Sequence, residues 1–71
     1  MPHIAVSMIP GRSRDTKEIL AQKLKECLME VLHVEDKFVS VSVQDIELKD
    51  WNEFMQTIPE EAILVKPDEK V

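Results

Sequence analysis

Two runs of alternating apolar residues flank one long helical stripe, and that order limits the fold more than any other feature of the chain. Over residues 2–9, Ile4, Val6 and Met8 alternate with Ala5 and Ser7, the two-residue period of a strand. Over residues 38–46, Val39, Val41 and Val43 alternate with Ser40, Ser42 and Gln44, giving one apolar and one polar face. Between them, over residues 14–33, Leu20, Leu24, Cys27, Leu28 and Val31 follow helical spacing, and Ile19 and Leu32 widen the stripe. A helix of about 20 residues between two strands is long enough for a right-handed parallel crossover. The expected fold class is therefore α/β: a single β-α-β unit with parallel strands, the leucine stripe laid over the valine face.

Local signals mark the joints. Pro2 stands where a strand starts and a missing N–H is tolerated. Pro10-Gly11 ends the first strand. Ser13 and Asp15 are both candidate N-caps, and Asp15 with Glu18 has the spacing of a capping box. Beyond the second strand, Asp50 is positioned to cap a short helix over residues 51–56, which Pro59 interrupts. Residues 62–65 read as either a short strand or a second short helix, and residues 67–71 as a frayed end. The whole chain, 1–71, is read as one domain.

Size then decides how such a unit is held together. A chain of 71 residues buries only about 60% of its unfolded surface, so it needs support. One cysteine excludes an intrachain disulfide, and one cysteine with two distant histidines is too few for a structural zinc cage. Two strands and one helix also leave sheet edges open to pairing. The expectation is a homo-oligomer. The net charge of −5 argues against nucleic-acid partners and against anionic membranes. The longest apolar run is four residues, 62–65, too short for a transmembrane helix. No secretory signal is visible at the start, and an unpaired Cys27 fits a reducing compartment, so a cytoplasmic location is expected.

Pro2 is the residue with chemical potential. If Met1 is removed, Pro2 becomes a terminal secondary amine held rigid by its ring. An α-amino group ordinarily titrates at about 7.7–8.0, and burial or a nearby cation favours its free base. A free amine at neutral pH can act as a general base, or as a nucleophile toward a carbonyl.

Met1-Pro2-His3-Ile4 opening an alternating strand, Pro10-Gly11-Arg12-Ser13 entering an amphipathic helix with Lys17 in its first turn, and the run Val39-Ser40-Val41-Ser42-Val43 together resemble the tautomerase superfamily. Its small members are typified by 4-oxalocrotonate tautomerase. The resemblance covers residues 2–55. It implies a β-α-β unit that pairs into a dimer, in some members stacked into a hexamer, with the site at a subunit interface. It also implies cofactor-independent keto–enol tautomerisation of a small 2-oxo acid, with the N-terminal proline as base. Pro2 matches that proline. Arg12 matches the first-loop arginine that engages the substrate carboxylate, a role suited to its planar fork. Ser40 stands where the typical member carries a second arginine, which favours a monocarboxylate such as an arylpyruvate enol over a dicarboxylate. Trp51 matches the aromatic wall near the proline. Ser40 together with Trp51 looks closer to the dimeric, YdcE-like branch than to the hexameric type.

Other residues carry less. His3 is expected on the opposite strand face from Pro2, His33 at the helix end, and Cys27 buried as a small hydrophobe. Arg14 is a second candidate for substrate binding, although it matches no position of the family. Two other functions fit the same chain. One is hydration or dehalogenation of a small unsaturated acid, which would need Asp45 or Glu47 near Pro2 to activate water. The other is a non-enzymatic interaction module that pairs through its sheet edges.

Overall fold

The computed structural model describes residues 1–69. The chain forms β1 (His3–Met8), α1 (Arg14–Leu32), β2 (Ser40–Asp45) and α2 (Trp51–Met55), with single 3-10 turns at Asp36–Phe38, Leu48–Asp50 and Glu60–Ala62. The strands are parallel, paired in register from His3 opposite Ser40 to Met8 opposite Asp45. The β-α-β unit is thus the one the alternation predicts. Its strands are shorter than the alternating runs. Pro2 lies just outside β1, and Phe38 and Val39 precede β2, Phe38 closing a 3-10 turn.

The joints follow their sequence signals closely. Ser13, and not Asp15, caps α1: its Oγ accepts the Thr16 N–H at 3.2 Å, a bond worth about 1 kcal/mol at such a position. Gly11 has φ 134°, a conformation that L side chains rarely adopt, and this turns the chain from β1 into the helix. Its missing side chain is needed for that backbone angle and not for space, because a Cβ there would meet nothing within 4 Å. At the other end His33 adopts the left-handed conformation at φ 56°, and its N–H bonds to Met29 O at 2.9 Å. Asp50 precedes α2 but makes no side-chain cap. Residues 62–65 do not form a strand: Ala62 ends a 3-10 turn, and Leu64 and Val65 are 89% and 88% exposed.

The core is thin. Among the described residues only Val39 is buried. Ile4 and Val6 pair with Val41 and Val43, and these four half-buried side chains make the apolar face of the sheet. Leu20, Leu24 and Leu28 of α1 are half-buried, but Ile19, Cys27, Val31 and Leu32 stay exposed. The expected burial of Cys27 therefore fails within this chain. The reason is width. Two strands about 4.8 Å apart cannot shield a helix about 10 Å across. The part of the stripe that runs through Cys27 and Val31 overhangs the sheet.

Two ion pairs fix the helix on the sheet. Lys17 Nζ bonds Asp45 Oδ2 at 2.7 Å and ties the first turn of α1 to the end of β2. Lys25 pairs with Asp36 and ties mid-helix to the turn before β2. No helix among the described residues is long and apolar enough to cross a membrane.

Candidate functional site

Parallel strands have two unlike ends, and the candidate residues divide between them. Pro2 and Ser40 share the starting end. The Ser40 N–H donates to the Pro2 carbonyl at 3.3 Å, which extends the ladder one bond beyond His3 and lays Pro2 beside Ser40. Pro2 is half-buried, whereas Met1 is 96% exposed, so nothing in the packing holds Met1 in place. With Met1 attached, the Pro2 nitrogen is an amide and has no basicity. The chemistry described for Pro2 depends on that bond being cut.

Arg12 lies at the opposite end. It sits in the turn after Met8, exposed, with Nη1 donating to Ile9 O at 3.5 Å. Seven residue steps of strand separate Pro2 from Ile9, roughly 20 Å at the usual rise. The Lys17–Asp45 pair confirms that the start of α1, just after Arg12, is held at this far end. Trp51 opens α2 on the segment leaving the same end and is half-buried, with Phe54 beside it at 6.1 Å between ring centroids and 44° between planes. That geometry is a tilted aromatic pair, and it makes Phe54 the packing partner of Trp51. Arg14, the second arginine of the loop region, is bound to Glu18 at 2.9 Å across one helical turn. One chain thus joins Pro2 to Ser40 and sets Arg12 and Trp51 apart from them.

Among the described residues, one shallow concave surface lies between α1 and β2, lined by Glu18, Lys25, Val39 and Val41, and another lies at the far end. The latter, a groove of about 400 Å³, is lined by Asp45, Ile46, Glu47, Asp50, Glu53, Phe54 and Thr57. Four of these seven carry carboxylates, no lining residue is a cation, and Lys17 already bonds Asp45. Such a groove repels an anionic ligand. Asp45 and Glu47, the carboxylates a water-activating mechanism would recruit, therefore lie at the opposite end of β2 from Ser40 in the same chain. Among the described residues no group of three His, Cys, Asp or Glu is arranged to hold a metal ion.

One set of side-chain contacts crosses the two strands. His3 and Ser40 are register partners, and His3 Nδ1 lies 2.7 Å from Ser40 Oγ while Nε2 lies 3.0 Å from Ser42 Oγ. Alternation placed His3, Ser40 and Ser42 on polar faces. The parallel register that puts the three side chains together could not be read from either strand alone.

No protein-family model matches the chain. It is similar to a protein of Xylella fastidiosa (strain 9a5c) described as "Probable tautomerase", with 43% identity over 51 residues. That alignment takes in 72% of this chain and 62% of the relative, so the chain spans about three-fifths of the relative's length.

Proposed function

Because this chain belongs to the tautomerase superfamily, we propose that it is a tautomerase, an isomerase moving a proton between the keto and enol forms of a small 2-oxo acid, with Pro2 as the base. The identity to a relative described as a probable tautomerase carries this reading. The pairing of Pro2 with Ser40 at one sheet end, and the exposure of Met1, support the roles given to the residues.

In the proposed reaction the free amine of Pro2 takes the hydroxyl proton from the enol at the carbon bearing oxygen. The oxygen's electron pair forms the carbonyl, and the carbon–carbon double-bond pair swings to the neighbouring carbon. That carbon takes the proton back from the Pro2 ammonium, so no atom or electron is gained or lost. The reverse sequence forms the enol. Ser40 offers a hydroxyl to the oxygen, and Arg12 holds the carboxylate through two charge-assisted hydrogen bonds. Trp51 supplies an apolar wall that excludes water.

Arg12 reaches this site from a second copy of the chain. Within one chain it is roughly 20 Å from Pro2 by strand rise, while the overhanging stripe of Ile19, Cys27 and Val31 leaves apolar surface for another copy to cover. The assembly is a homo-oligomer, with a dimer the simplest closed form. The missing second arginine and the single aromatic wall favour a monocarboxylate.

Mass spectrometry of the native protein and an enol assay together test the proposal. The expected results are loss of Met1, and ketonisation of phenylenolpyruvate that falls at least about 100-fold in Pro2→Ala, the lower range for removing a general base. Retention of Met1, or equal rates in Pro2→Ala, would refute Pro2 as the base.

A further inference from the structure

The exposed face of the sheet carries a histidine suspended between two serine hydroxyls, one of which belongs to the proposed site. His3 Nδ1 is 2.7 Å from Ser40 Oγ, and Nε2 is 3.0 Å from Ser42 Oγ. Both ring nitrogens are therefore committed, and hydroxyl groups occupy both positions. A neutral imidazole has one N–H donor and one acceptor nitrogen. In either tautomer one serine must spend its O–H proton on the ring. The other serine accepts from the ring and keeps its O–H free. An imidazolium donates from both nitrogens, so both serines then accept, and both O–H groups are free to donate elsewhere.

Position gives this arrangement a use. Ser40 donates its backbone N–H to the Pro2 carbonyl, so the residue whose hydroxyl His3 holds is the ladder neighbour of the residue proposed as base. We infer that His3 is a positioning residue of the tautomerase site: through its two hydrogen bonds it sets whether the Ser40 hydroxyl can donate to the carbonyl or enolate oxygen of a 2-oxo acid. The inference rests on the tautomerase reading and adds to it a residue that acts through Ser40 and does not itself touch substrate. In the tautomer whose Nδ1 takes the Ser40 proton, protonating His3 releases that hydroxyl toward the ligand, and in both tautomers it places a positive charge behind Ser40.

The residues sharing the face of His3 are Ala5 and Ser7 from β1 and Ser40, Ser42 and Gln44 from β2, none of them charged. The helix packs on the other face. The chain's own amino terminus, carried by Met1 or, after processing, by Pro2, adjoins His3 in sequence. Histidine changes charge between about pH 5 and 8, so the two states can be compared in ordinary buffers.

Benzoylformate is a suitable probe. It is a 2-oxo monocarboxylate with no hydrogen on the carbon beside its carbonyl that could enolise, so it binds without reacting. Its dissociation constant is measured by calorimetry for the wild type, His3→Gln and Ser40→Ala, each near pH 8 and near pH 5.5. Glutamine keeps one donor and one acceptor but does not titrate. His3→Gln should match the wild type near pH 8 and bind about three- to tenfold more weakly than it near pH 5.5, the span of one released hydrogen bond. The ratio of wild type to variant cancels the titration of Pro2, which both proteins carry. Ser40→Ala should weaken binding at both values and make His3→Gln silent when the two are combined. Equal wild-type-to-variant ratios at the two values, with unchanged thermal unfolding, would overturn the role of His3. So would a His3→Gln effect that persists in full without Ser40. Should that happen while Pro2→Ala remains inactive on phenylenolpyruvate, the tautomerase reading stands and only this inference falls. A wild type that neither ketonises the enol nor binds benzoylformate removes both.

Discussion

The two ends of the sheet are built from the same pair of strands and have opposite chemistry. At the starting end, Pro2, His3 and Ser40 meet through backbone and side-chain hydrogen bonds, with no charged side chain on the exposed face. At the far end lie Arg12, Trp51 and a groove lined by four carboxylates, and Lys17 is spent on Asp45. A 2-oxo acid needs both a base and a cation. Each end of a single chain offers one and lacks the other. Concavity is therefore a poor guide in this molecule: the groove at the far end is electrostatically wrong for the proposed substrate, and the better chemistry lies on an open face.

Mixing inactive variants tests this division most sharply. Pro2→Ala and Arg12→Ala chains, unfolded together and refolded, should recover roughly a quarter of wild-type activity if each site draws Pro2 from one copy of a dimer and Arg12 from the other. No recovery would show that both residues act within one chain, and the comparison of the two ends would collapse. Next in size, Arg12→Ala alone should raise the KM for 2-oxo acids by about ten- to a hundredfold, the worth of a charge-assisted hydrogen bond, with the fold intact by circular dichroism. Unchanged KM would remove Arg12 from the site.

A smaller effect is expected at the cap that sets the start of α1. Ser13→Ala should cost about 1 kcal/mol and lower the melting temperature by about 4–8 °C. A Tm within 1 °C of wild type, roughly the error of such scans, would mean that the Ser13–Thr16 bond does not organise the turn carrying Arg12. The smallest effect belongs to the groove. Asp50→Asn and Glu53→Gln should leave kcat/KM within about twofold, as exposed charges away from a site usually do. A large loss in either would move the site to the far end and reverse the contrast drawn above.

Much of this was legible in the residues. The alternation of Ile4, Val6 and Met8, and of Val39, Val41 and Val43, announces two strands because the two-residue period is local. Leu20, Leu24 and Leu28 announce the helix for the same reason. Pro2 and Arg12 were likewise visible, as residue types at marked joints. What was not legible depended on a partner elsewhere in the chain. Cys27 belongs to the apolar stripe, and the sequence does not say that two strands are too narrow to cover it. Ser13 and Asp15 both look like caps, and the choice depends on which hydroxyl or carboxylate reaches the Thr16 N–H. His3 is exposed, as a polar-face residue should be, but its bonds to Ser40 and Ser42 could not be foreseen because those partners are 37 and 39 positions away.

By itself the sequence determined the periodicities, the order strand–helix–strand, the acidic balance and the shortage of internal core, because each depends on neighbouring residues or on composition. The tertiary structure decided the register of β1 against β2, and with it everything that depends on distance. Register joins Pro2 to Ser40, suspends His3 between two hydroxyls and sends Arg12 to the other end. The physical reason is that a ladder of hydrogen bonds between parallel strands aligns residues by their position along the strand, not by their separation in the chain.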